Sequence, residues 1–71
     1  MKPEPTAIAA NLVALSHRLS HAARLAGEAH AAMTEGQQNQ AIGTIMDLEH
    51  ILAEATALSQ AARALHRGQV E

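Results

Sequence analysis

The chain contains no cysteine and no phenylalanine, tyrosine or tryptophan. The first absence excludes disulfides and thiolate zinc sites, and with them any inference about redox compartment. The second removes the side chains that bury the most area each, so a core must be assembled from Ala, Leu, Ile, Val and Met. Charge is sparse and nearly balanced: 17% of residues are Asp, Glu, Lys or Arg, the formal net is −2, and the sequence pI is near 6.2. That balance does not point to nucleic acid or an anionic membrane as partner. No stretch approaches the roughly 18 consecutive apolar residues that a membrane span needs.

A chain of 71 residues is one domain at most, spanning 1–71, and a domain so small is marginal without a staple. With disulfides and thiolate metals excluded, self-association is the stabiliser that remains. The 5 histidines make the charge adjustable, since protonating all of them moves the formal net from −2 to +3. Near pH 6 the molecule approaches neutrality, which favours association. Histidines on the surface of short helices are usually incidental, and a pH-sensing role is not the expectation. Met1-Lys2-Pro3-Glu4-Pro5, followed by Thr6 to Leu15, offers one basic residue and a short apolar run. Glu4, the two prolines and Asn11 argue against a secretory leader. A cytoplasmic protein with no membrane association is expected.

What the chain does have is periodicity. Ile8, Leu12, Leu15, Leu19, Ala22, Ala26, Ala29 and Met33 are spaced 4-3-4-3-4-3-4, the heptad seam of a long helix. A second seam runs back through Leu65, Ala62, Leu58, Ala55, Leu52, Leu48, Ile45 and Ala41. Folding the chain near residue 37 pairs 8 with 65, 12 with 62, 19 with 55 and 33 with 41, with large residues facing small ones. Pro5 suits a first helical turn and Thr6 can cap, so helix 1 is expected over about 5–34, starting between 4 and 7. Gly36 is the expected left-handed C-cap residue and Gln37-Gln38-Asn39-Gln40 a polar connector. Asn39 is the expected N-cap of helix 2, giving a turn over about 35–39 and a helix over about 40–67, fraying at Gly68. A start at Thr44-Ile45-Met46-Asp47, which has the form of a capping box, competes. The fold class is all-α, an antiparallel two-helix hairpin.

Helix 2 carries more apolar surface than one neighbour needs. Ile42, Ile51, Leu58 and Leu65 widen its arc to roughly 160° at about 100° per residue, and helix 1 adds Val13 and Leu25. The expectation is a second hairpin packing there, giving a four-helix bundle dimer or a higher homo-oligomer, with Leu25, Val13, Ile51, Leu58 and Leu65 at the interface. A heterologous protein helix laid in the same groove would also satisfy the pattern.

Chemistry-bearing clusters are weak. His17 and His21 stand one helical turn apart, a spacing that can bind metal, but they sit on the outward side of the seam. Glu28 is too far along to join them, and Arg18 and Arg24 add like charge, so no metal is expected. His50 and Glu54 share an outer face without a nucleophile beside them. Asp47 and Glu54 lie about 10 Å apart along the helix, with no sign of a cleft between them. No enzyme and no cofactor are therefore expected. Arg18, Arg24, Arg63 and Arg67 are the candidates for a small anionic ligand such as a phosphate or nucleotide. They do not converge within one hairpin and would do so only across a subunit interface; the plainer reading is an exposed cationic fringe.

In architecture the chain resembles the plasmid-encoded helical hairpins that dimerise into a four-helix bundle and grip paired RNA loops. Their RNA face uses basic residues and an aromatic, and there is no aromatic here. Ala41-Ile42-Gly43-Thr44, opening the second helix, is similar to the phage-encoded helical hairpins that oligomerise and sequester cyclic-nucleotide signals. That resemblance implies an oligomeric binder of a small anion, encoded by a phage or mobile element. The leading expectation is a small interaction, adaptor or inhibitor protein that works through protein–protein contacts after self-association.

Overall fold

The computed structural model describes residues 3–70, with side chains from 6 to 68. They form two helices packed antiparallel against each other, α1 Pro3–Thr34 and α2 Gln38–Val70. Helix α1 begins ahead of the expected cap, so Thr6 lies inside the helix instead of capping it. The prolines do not prevent this, because the first four N–H groups of a helix have no partner within it. Met1 and Lys2, on which the leader question partly turned, lie outside the described residues.

The turn is built by backbone chemistry. Gly36 has φ 77°, a conformation an L side chain adopts only at a cost. Its N–H donates to the Met33 carbonyl at 3.0 Å and the Gln37 N–H to the Ala32 carbonyl at 2.8 Å. These two bonds make a Schellman turn and satisfy carbonyls that the helix end would leave unpaired. Gln37 then serves the next helix as well, its carbonyl accepting from the Ala41 N–H at 3.0 Å. Gln37, not Asn39, is thus the N-cap residue, because closing α1 and opening α2 on one residue leaves Asn39 already helical. Thr44 does not start the helix either: its hydroxyl donates back to the Gln40 carbonyl at 3.0 Å, the bond of a threonine within a helix. At the far end α2 continues through Gly68 to Val70, since one glycine costs a helix only about 1 kcal/mol.

The interior corrects the seam expected from the residues. Among the described residues the buried ones are all alanines, Ala22, Ala29 and Ala32 on α1 and Ala41, Ala55 and Ala62 on α2, and no large side chain is fully buried. Leu12, Leu19 and Met33, expected inside, are each about half exposed, as are Ile45 and Leu52 to a lesser degree. Asn11, Leu25 and Ala32 take the inward places on α1, while Thr44 and Ile51 do so on α2. The seam therefore runs 8-11-15-18-22-25-29-32 against 41-44-48-51-55-58-62-65. Positions brought level by the turn now sum to 73 throughout, from 8 with 65 to 32 with 41. Alanine fills the fully buried places along this seam, and the larger seam residues Leu15, Leu25, Leu48 and Leu58 are half-buried between them.

The hairpin is a thin slab of 54 × 15 × 11 Å. Its radius of gyration is 16.3 Å, where a compact chain of this length has about 11 Å. It exposes 5184 Å², about a fifth more than the roughly 4,200 Å² of a compact monomer of its mass. Among the described residues no helix is long and apolar enough to cross a membrane.

Candidate functional site

Moving the seam by one position on each helix sorts the remaining side chains onto two broad faces. Leu12, Leu19 and Met33 of α1 fall on one face, together with Ile42, Ile45 and Leu52 of α2. Every one of the six is between 38% and 51% exposed. Two shallow grooves run along this face. One is lined by Leu12, Leu15, Ser16, Leu19, Ser20 and Ala23. The other lies nearer the turn among Ala26, His30, Met33, Ile42, Ile45 and Leu48. Leucine and isoleucine side chains stand along both rims, so the face is apolar over most of its length. Val13 and Met46 are also exposed, 57% and 66%, but the helical repeat places them away from this face.

The opposite face is polar. Arg18 stands at a seam position with its side chain 45% exposed. Its Nε lies 3.4 Å from Glu54 Oε1, an ion pair across the two helices. Beside this pair, His21, Asp47 and His50 surround a small depression floored by Leu25 and Ile51. Two histidines and a carboxylate so placed invite the thought of a metal. Among the described residues, however, no group of three or more histidine or carboxylate side chains is arranged to hold one. His17, next along α1, is exposed to solvent.

Of the four arginines considered for an anion, Arg18 is engaged by Glu54. Arg24 is exposed on α1 and lines none of the depressions near the others. Arg63 and Arg67, one turn apart on α2, line a common depression with Gln60, Ala57, Ala61 and Ala64, and a second one with His66. The structure thus brings two of the four together and leaves the other two apart.

The residues proposed for an interface divide in a similar way. Leu25, Ile51, Leu58 and Leu65 are half-buried along the seam between the two helices of one hairpin, while Val13 is exposed. The apolar surface left over belongs instead to Leu12, Leu19, Met33, Ile42, Ile45 and Leu52. Sequence reasoning assigned five of these six to the hairpin core and Ile42 to the surplus arc. The available signal was the alternative seam through Ala32, Leu25 and Ile51, which pairs at a constant sum and has alanine at its buried positions. Asn11 and Arg18 conceal it, since both look like surface residues. No protein-family model, curated protein or solved structure matches the chain.

Proposed function

We propose that this protein is a small non-enzymatic interaction protein, an adaptor or inhibitor that acts in the cytoplasm through protein–protein contacts after assembling with itself. One observation carries this reading: among the described residues the hairpin buries only alanines and leaves eight large apolar side chains exposed. A helical protein without disulfides or aromatic residues gains stability mainly by burying aliphatic surface, and here that surface lies outside the monomer. The assembly is a four-helix bundle or a larger homo-oligomer, and its outward polar surface meets other proteins. No substrate pocket, cofactor or metal has a part in this reading. Native mass spectrometry of the purified chain tests it. A multiple of the chain mass, with nothing added, is the expected result; a single chain at micromolar concentration would sink the proposal.

A second reading has its own observation, the depression shared by Arg63 and Arg67. Two guanidinium groups on adjacent turns suit a phosphate-bearing ligand, and an oligomer could trap such a molecule at a subunit interface. Extra mass carried through native mass spectrometry would favour this reading over the first.

A further inference from the structure

We infer that the face carrying Leu12, Leu19, Met33, Ile42, Ile45 and Leu52 is closed by one second copy of this chain, stacked face to face. This rests on the self-association proposed above and adds to it the surface and the copy number.

Area comes first. A face of 54 by 15 Å offers about 800 Å², close to what each partner of a standard-size protein interface buries. The accessible surface that the hairpin exposes beyond a compact monomer is of similar size. Only one face is apolar, because the other carries Arg18, His21, Asp47, His50 and Glu54. A third copy would have to bury those groups, at a desolvation cost that such charges seldom recover. Stacking therefore stops at two.

The test uses the full chain and two kinds of variant. By native mass spectrometry the unmodified chain is expected at twice its mass. Leu19→Glu and Leu52→Glu are expected at single mass, while Val13→Glu and Met46→Glu remain double. A monomeric unmodified chain overturns the self-association reading itself. A double mass that survives both face substitutions, or a trimer or larger species, overturns this inference and leaves self-association standing. Because Leu52→Glu can unfold the chain, burial of the face is read separately from a spin label on Ser20→Cys, which lines the groove of Leu12 and Leu19 and is clean because the chain has no other cysteine. A label held immobile in the double-mass species is the expected result. A freely mobile label there would overturn the proposed face.

Discussion

Arg18 and Glu54 meet across the hairpin at 3.4 Å, Nε to Oε1, with both side chains 45% exposed. The contact is modest in energy and useful in geometry. It ties residue 18 to residue 54, within one position of the constant-sum register, and it holds a charged residue at a place in the seam where an apolar one would be expected. A double-mutant cycle of Arg18→Ala and Glu54→Ala should give a coupling of about 0.2–1 kcal/mol in thermal or urea unfolding. The coupling should shrink as salt rises from about 0.01 to 1 M, since both groups are open to solvent. Zero coupling at low salt would place the two helices in another register.

The alanine midline makes its own prediction at a position the expected seam had turned outward. Ala32 is 4% exposed and clusters with Ala29 and Ala41. Ala32→Leu should cost about 1–3 kcal/mol by overpacking, whereas Ala31→Leu, one residue back on the exposed side, should be nearly neutral. Urea midpoints of the two variants decide it. Equal midpoints would return Met33 to the core and Ala32 to the surface.

Gly36 and Gly43 should respond in opposite directions to the same change. At Gly36 a side chain must occupy φ 77°, so Gly36→Ala should lower stability by about 1 kcal/mol or more. At Gly43 an added Cβ meets nothing within 4 Å, so Gly43→Ala should raise stability by about 0.5–1 kcal/mol through helix propensity alone. Thermal melts at matched protein concentration check both, since an associating protein has a concentration-dependent midpoint. A loss of stability at Gly43 would mean that something packs against that position.

Ligand capture is separable from protein contact by a thermal shift. An anion bound in the Arg63–Arg67 depression and supplied at 100 times its dissociation constant would stabilise the fold by about 2.7 kcal/mol. The interaction-protein reading expects no shift with phosphate or with a panel of mono-, di- and cyclic nucleotides. A shift that disappears in Arg63→Ala and Arg67→Ala would transfer the function to the second reading.

Much of the architecture follows from the residues alone. Two long helices are dictated by heptad spacing uninterrupted by proline after Pro5. The reversal at Gly36 follows from the one residue type that readily takes a left-handed conformation beside a polar connector. Antiparallel pairing follows from the shortness of that connector. The absence of aromatics already assigned the core to Ala, Leu, Ile, Val and Met. The helix boundaries were less legible, because Gln37 serves both helices through backbone bonds that any residue could make.

Packing alone decided which leucines face inward. The two candidate seams share Ile8, Leu15, Ala22 and Ala29 and differ by one position in between, so heptad spacing fits either. Hydrophobicity favours the seam through Leu12, Leu19 and Met33, since the other passes through Asn11 and Arg18. The folded hairpin takes the second, with alanine at its buried positions and Arg18 carrying its charge out to Glu54. Half-turn differences of this kind depend on the distance between two helices, which no spacing within one helix encodes. They determine whether the leucines are consumed in the monomer or left on a face for another molecule.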